Sequence, residues 1–197
     1  MQHLIVFIRN PRLGKVKTRL AADIGDVRAL EVYQRLLSIT HGAVVGMDVP
    51  CRKSVWYSDC IPKEPDLWSA SGFEQCLQTE GDLGARMQHA MEQAFRENGG
   101  PVVLIGSDCP EVSPRILQEA FRHLQDTDCV LGPAADGGYY LIGCRTSFPF
   151  VFQDMPWSRP ELFETTCRVL KARGCRVHTL EVLTDIDKVS DLKAFGW

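Results

Sequence analysis

Two short runs carry no polar residue at any position: Leu4-Ile5-Val6-Phe7-Ile8 and Val102-Val103-Leu104-Ile105. A strand with one face in water alternates apolar and polar side chains, so runs of this kind belong to strands covered on both faces. That favours a parallel sheet with helices on each side, and the rest of the chain supplies them. Leu30, Tyr33, Leu37 and Thr40 recur near helical spacing. Leu83, Met87, Ala90, Met91, Ala94 and Phe95 form an apolar stripe that ends at Asn98-Gly99-Gly100. Ser113-Pro114 opens a further helix with Ile116, Leu117, Ala120, Phe121 and Leu124 on its buried face. Another helix is expected from Ser158 to Gly174, and a short tail helix over Asp191–Phe195. The segments 54–57, 73–79, 129–131, 139–142 and 176–180 read as strands. Strand following helix along residues 1–197 predicts a single α/β domain with three layers, α/β/α, around a mainly parallel, mixed sheet. Ligands of such sheets sit beyond the carboxyl ends of the strands.

A chain of 197 residues buries a core without covalent staples. Its net charge of −3 argues against a duplex-binding surface, so no nucleic-acid partner is expected and any anion recognition must be local. The eight cysteines contain no C-x-x-C pair and several lie in apolar runs, which reads as reduced thiols in a reducing, cytoplasmic compartment. The five histidines lack zinc-like spacing and read as surface or packed residues. The N-terminus lacks the basic region of a signal peptide, and no apolar run reaches the roughly 18 residues of a membrane span.

The segment after the first apolar run, Arg9-Asn10-Pro11-Arg12-Leu13-Gly14-Lys15-Val16-Lys17-Thr18-Arg19, places five cations in eleven positions. Pro11 and Gly14 shape a turn, Gly14 permits close backbone approach, and a helix is expected from about Thr18. Lysine and arginine beside free backbone N–H groups suit a pyrophosphate. The spacing matches neither a Walker A loop nor G-x-G-x-x-G. Asp108, in Gly106-Ser107-Asp108-Cys109-Pro110, follows the second apolar run, where a carboxylate is placed to bind Mg2+ or Mn2+. Asp185 and Asp187 lie two residues apart on an expected extended segment, face the same way and can share a cation, with Asp187 the preferred second metal ligand. Ala135-Asp136-Gly137-Gly138 separates two apolar runs; Asp-Gly there is a hairpin signal, and the doubled glycine marks a backbone that something approaches closely.

Phe7-x-Arg9-x-Pro11-x-x-Gly14-x-x-Lys17-Thr18-Arg19-Leu20-Ala21 resembles the opening motif of the radical-SAM/selenodomain-associated transferases, and the resemblance runs through the chain to Thr184-Asp185-Ile186-Asp187. The resemblance implies the GT-A, Rossmann-like nucleotide-diphospho-sugar transferase fold, with a more distant likeness to the guanylyltransferases of molybdenum cofactor and phospholactate metabolism. It implies that Arg9, Pro11, Gly14, Lys17, Thr18 and Arg19 hold the nucleotide phosphates, and that the Gly81–Gly84 segment touches the base or ribose. It puts Asp136, Gly137, Gly138 and Tyr139 on the acceptor side, where Asp136 holds an acceptor hydroxyl or assists the metal. Trp157, within a further family-like motif at 155–160, is a candidate to stack on the acceptor. Lys188 stands where the family pattern has threonine.

Together these readings predict a metal-dependent transferase with a nucleotide or nucleotide-sugar donor, a small-molecule acceptor, and Asp108, Asp136 and Lys17 as catalytic groups. Glycosyl transfer is the main reading. Nucleotidyl transfer with pyrophosphate release is the first alternative, and a non-catalytic nucleotide-binding protein the second.

Overall fold

The computed structural model describes residues 1–197. In chain order the elements are β1 (Gln2–Ile8), α1 (Thr18–Ile24), α2 (Asp26–Val45), β2 (Cys51–Tyr57), α3 (Leu67–Ala70), β3 (Glu74–Leu77), α4 (Leu83–Asn98), β4 (Val102–Ile105), α5 (Pro114–His123), β5 (Cys129–Pro133), β6 (Tyr139–Cys144), α6 (Leu162–Ala172), β7 (Val177–Thr179) and α7 (Val189–Ala194), with a 3-10 turn at Pro149–Val151. The strands form one sheet in the order β3-β2-β1-β4-β6-β5-β7.

Every pairing is parallel except β4 with β6 and β6 with β5. Two reversals leave β5 running in the direction of β4, so the sheet is parallel around one inverted strand. Strict strand–helix alternation therefore fails once, where β5 and β6 are joined by a tight turn, because Asp136-Gly137 closes a hairpin instead of a crossover. The carboxyl ends of β1, β4 and β5 still share one edge.

Both faces of the sheet are covered, as the apolar runs require. Leu4, Val6 and Ile8 of β1 pack into the core shared with α2 and α5. Ile5 and Phe7 pack into the core shared with α4 and the partly buried face of α6. A bulge in β6 pairs Gly132 with Leu141 and Pro133 with Tyr139, leaving Tyr140 unpaired. Tyr140 and Leu141 consequently face the same core, and Tyr139 turns to the other. The Tyr140 ring lies over Gly132, where a Cβ would sit 2.4 Å from it.

Three local expectations are corrected. Ser158 does not start α6: it has a φ of +60°, and turns over 155–161 delay the helix to Leu162. Leu83 is 44 % exposed, because α4 turns its buried stripe through Gly84, Met87, Ala90, Met91 and Ala94 instead. The four-residue helix α3 was not expected; the Asp66 carboxylate accepts from the Trp68 and Ser69 amides, a cap readable in Asp66-x-x-Ser69. All eight cysteines are free, and no helix is long and apolar enough to cross a membrane.

His3 on β1 is buried between two partners. Asn98 Nδ2 donates to its Nδ1 at 2.9 Å, leaving Nε2–H to donate to Ser54 Oγ at 2.8 Å. Burial, then the Arg52 charge, lowers its pKa to about 4. A neutral histidine that charges at 6.5 when unfolded stabilises the fold above pH 6.5, and this contribution is lost as pH falls toward 4. Urea unfolding of wild type and His3→Gln across that range checks this: the stability advantage of wild type is expected to shrink as pH drops from 7 to 4.

Candidate active site

The basic loop leaves β1 at Ile8 and is fixed by its backbone. Tyr33 Oη accepts from the Arg9 amide at 2.8 Å and donates to the Arg9 carbonyl at 3.1 Å, and it lies 3.3 Å from Ser107 Oγ. One phenol thus binds the loop after β1 to the loop after β4. Burial, then the Asp108 charge, pushes its pKa up to about 12, so it remains a donor. Asn10 is buried; its Oδ1 accepts from the Asp59 amide at 2.9 Å and its Nδ2 donates to the Cys60 carbonyl at 2.8 Å. Gly14 turns the loop at φ +70°.

These anchors leave Arg9, Pro11, Arg12, Lys15, Thr18 and Arg19 exposed, and they turn Lys17 inward. Lys17 occupies the left-handed region, φ 46° and ψ 44°, immediately before α1. A non-glycine residue there costs on the order of 1–2 kcal/mol. The cost is offset by what its ammonium reaches: Asp108 Oδ1 at 2.6 Å and Asp187 Oδ1 at 3.1 Å, with the Lys17 side chain only 5 % exposed. Burial alone would lower the Lys17 pKa, but the Asp108 and Asp187 charges and hydrogen bonds outweigh it and hold the pKa above its ordinary value. Arg19 Nη1 stands 3.9 Å from the other Asp187 oxygen, at the exposed rim.

The segment carrying Asp185 and Asp187 is stitched between two strand ends. The Leu183 amide donates to the Pro133 carbonyl at 3.1 Å, the Ala135 amide to the Leu183 carbonyl at 2.9 Å, and the Ile186 amide to the Asp108 carbonyl at 3.0 Å. The Asp191 carboxylate caps the same segment by accepting from the amides of Asp187 and Lys188. Asp185 points toward the interior, where it accepts from the Cys109 thiol. Burial pushes its carboxyl up to about 6; the Cys109 hydrogen bond works against that, and the Asp108 and Asp136 charges add to it. The carboxylates of Asp108, Asp185 and Asp187 therefore converge on this edge. The two that share Lys17 offer hard oxygen donors around a point already held by a cation, which fits Mg2+ or Mn2+.

Asp136 is exposed in the β5–β6 turn and accepts from the Gly138 amide at 2.9 Å. Gly137 has a φ of +90°, and a Cβ there would meet the Pro160 carbonyl oxygen at 2.0 Å. Its own carbonyl accepts from the Phe163 amide at 2.9 Å. Gly137 thus admits the chain at 154–161, a strap with two more positive φ values, at Asp154 and Ser158. The Trp157 indole of that strap lies on Gly84, where a Cβ would sit 2.5 Å from the ring. Trp157 is thereby packed on the first turn of α4. Asp82 caps that turn through the Ala85 amide at 2.8 Å, and the Gly81 carbonyl accepts from Arg86 Nε at 3.0 Å. The Tyr139 side chain turns away into the core beneath α6.

Lys17, Arg19, Asp108 and Asp187 are thus brought together, with Asp185 behind them and Asp136 beside them. Gly84 and Trp157 meet each other along the strap. Tyr33, Asn10 and Cys109 escaped the sequence reading, because Tyr33 sits at an ordinary helix-packing position and the other two carry no motif of their own. Gln78 also escaped it: its Nε2 donates to the Ile8 and Trp56 carbonyls at 3.0 and 2.9 Å, closing the ends of β1 and β2.

The close contact at Gly84 gives a direct check. Gly84→Ala is expected to displace the Trp157 ring, red-shift tryptophan emission and cost about 1–3 kcal/mol in urea unfolding, the usual range for overpacking.

Comparison with known proteins places this geometry. A solved protein from Desulfovibrio desulfuricans G20, named as a candidate nucleotide-diphospho-sugar transferase, is 32 % identical, with 98 % of this chain and 85 % of that one covered and a TM-score of 0.89. A nucleotidyl transferase from Methanothermobacter shares the fold at 16 % identity, covering 99 % and 95 % of the two chains with a TM-score of 0.65. Glucosyl-3-phosphoglycerate synthase from Mycobacterium tuberculosis, solved with Mg2+ and uridine diphosphate, does so at 10 % identity, 94 % and 70 % coverage and a TM-score of 0.57. No functionally curated protein matches the sequence. The fold is that of the nucleotide-diphospho-sugar transferases and nucleotidyltransferases. Residues 38–159 match the profile of DUF2064, described as an uncharacterized protein conserved in bacteria, and this chain belongs to that family.

Proposed function

We propose that this protein is a divalent-metal-dependent transferase that moves a glycosyl group from a nucleotide-diphospho-sugar to a small acceptor. The observation that carries the reading is the meeting of Lys17 with Asp108 and Asp187 at the carboxyl edge of the sheet, with Arg19 at its rim. The name of the Desulfovibrio relative and the Mg2+ and uridine diphosphate in the mycobacterial structure support the donor and the metal.

In this reading Asp108 and Asp187 hold Mg2+ or Mn2+, which supplies Lewis-acid stabilisation of the departing diphosphate. Arg9 and Arg19 bind the diphosphate from the exposed side of the loop, and Gly14 gives its backbone room. Lys17 is held by the same carboxylates that hold the metal, so it leaves them for the phosphates when the site fills, and its charge then stabilises the leaving group. Asp136 accepts a hydrogen bond from the acceptor hydroxyl, and Gly137 and Gly138 shape the wall beside it. Gly81 borders the base or ribose, and Trp157, which covers Gly84, bounds the acceptor side of that segment.

Incubation with a panel of nucleotide-diphospho-sugars and nucleoside triphosphates tests the reading, with water as the stand-in acceptor. Slow, Mn2+-dependent release of nucleoside diphosphate from a sugar nucleotide is expected, reduced by about 10²–10³ in Asp108→Asn, the loss typical of removing one charge-stabilising group. Pyrophosphate release from a triphosphate would replace glycosyl transfer with nucleotidyl transfer. A nucleotide-induced thermal shift that ignores Mn2+ would leave a binding protein.

The pairing of Lys17 with the proposed ligands has its own outcome. Lys17→Met removes the internal competitor, so Mn2+ followed by electron paramagnetic resonance should bind at least about tenfold tighter without nucleotide, a difference of about 1.4 kcal/mol. Nucleotide affinity should fall in the same variant.

A further inference from the structure

Away from the cleft, Glu119, His123 and His178 converge, each partly buried, with one ligand atom from each within 4.8 Å of the others. Glu119 and His123 are four residues apart on α5, so one face of the helix carries both. His178 is the middle residue of β7, the edge strand of the sheet. Its imidazole stacks on that of His123 with ring centroids 3.4 Å apart and planes 11° from parallel. Histidines this far apart in sequence give no motif, and only the packing of α5 against the sheet edge joins them.

The chemistry of the three groups suits one kind of ligand. Two imidazoles in face-to-face contact repel when both are protonated. Burial, then the neighbouring His123, lowers the His178 pKa, which leaves a neutral ring with a free lone pair. The Glu119 carboxylate is divided: Oε2 takes Arg115 Nη1 at 3.2 Å, and Oε1 faces His123 Nε2 at 3.7 Å. Arg115 can keep its oxygen and orient the carboxylate, as outer partners of metal ligands do. Arg122 Nη2 lies 3.1 Å from His123 Nε2 and 3.7 Å from Glu119 Oε1, on a side chain 67 % exposed, and must move into solvent for a metal to bind, which costs little at an exposed pair. A tetrahedral zinc site with bonds of about 2.0–2.2 Å keeps its ligand atoms about 3.3 Å apart. The ligand atoms lie within 4.8 Å of one another, so binding requires the two rings to tilt out of their parallel stack toward that spacing.

We propose that Glu119, His123 and His178 bind a transition-metal ion of the Zn2+ class, with solvent completing its shell, and that the ion clamps β7 to α5. Two nitrogens and one carboxylate select Zn2+, Co2+ or Ni2+ over Mg2+ and Mn2+, so the site differs in kind from the all-oxygen cleft. β7 runs directly into the segment that delivers Asp185 and Asp187, and the clamp fixes the start of that segment. The proposal stands independently of the reaction assigned to the cleft.

The test is a Co2+ titration of untagged, reduced, metal-free protein in excess Mg2+, which fills the oxygen site. About one equivalent of Co2+ is expected, with visible absorption of a nitrogen–oxygen site and no thiolate-to-cobalt charge-transfer band. Zn2+ should displace it and raise Tm. His178→Ala and His123→Ala should each weaken this binding at least tenfold, while Asp108→Asn retains it. Glu119→Gln, which keeps shape and loses charge, serves if a histidine variant fails to fold by circular dichroism. Binding that persists in these variants, a thiolate band, or no Co2+ bound in excess Mg2+ would overturn the assignment.

Discussion

An ammonium group with two carboxylates around it holds together the edge of the sheet where the loops after β1, β4 and β7 meet. Asp108 and Asp187 come from opposite sides of the inverted strand β6, and with no cation between them their charges would drive the two segments apart. Lys17 supplies the cation from a third direction, out of a backbone conformation that lysine rarely adopts. The hydrogen bonds around it serve the same junction: the Ile186 amide on the Asp108 carbonyl, and the Tyr33 phenol between Arg9 and Ser107. With Arg19 at the rim, two cations face the two carboxylates, and the Asp185 carboxyl lies behind them.

The strap that carries Trp157 has a comparable role between the β5–β6 turn and α4. It touches the β5–β6 turn at Gly137 and the start of α4 at Gly84, and at both places only the absence of a side chain makes room. Glycines that a sequence reading assigns to a ligand can thus serve the protein's own chain. Here Gly84 faces an indole and Gly137 faces a backbone carbonyl. The segment expected to border the base and the segment expected to border the acceptor are consequently in direct contact, and neither can shift alone.

Much of the fold was legible because its signals are local. Uninterrupted apolar runs announce strands covered twice, and Ser113-Pro114 or Asn98-Gly99 mark helix ends through backbone chemistry alone. The reversal at β6 was harder to read, since Asp-Gly-Gly between two apolar runs serves equally as a hairpin and as a ligand turn. Ser158 misled because serine caps helices often, and nothing in the sequence shows its positive φ. In the site, the residue types and their place after strands pointed to Lys17, Asp108, Asp136 and Asp187. What the sequence could not express is direction. Lys17 and Lys15 are both cations of the basic loop, yet one is buried on carboxylates and the other is exposed. Asp185 and Asp187 were expected to face the same way; instead one meets the Cys109 thiol and the other meets Lys17.

The stitching of residues 183–187 between the ends of β4 and β5 has a consequence for biosynthesis. All seven strands, β7 included, are made before this segment, so the residues of the whole sheet are synthesised while Lys17 and Asp108 still lack their third member. The cleft then closes in a late step, when a short stretch of new backbone is added to a framework that already exists. Chains cut short ahead of Asp185 would therefore resemble the native protein in most of their secondary structure and yet lack the pairing of Lys17 with Asp187.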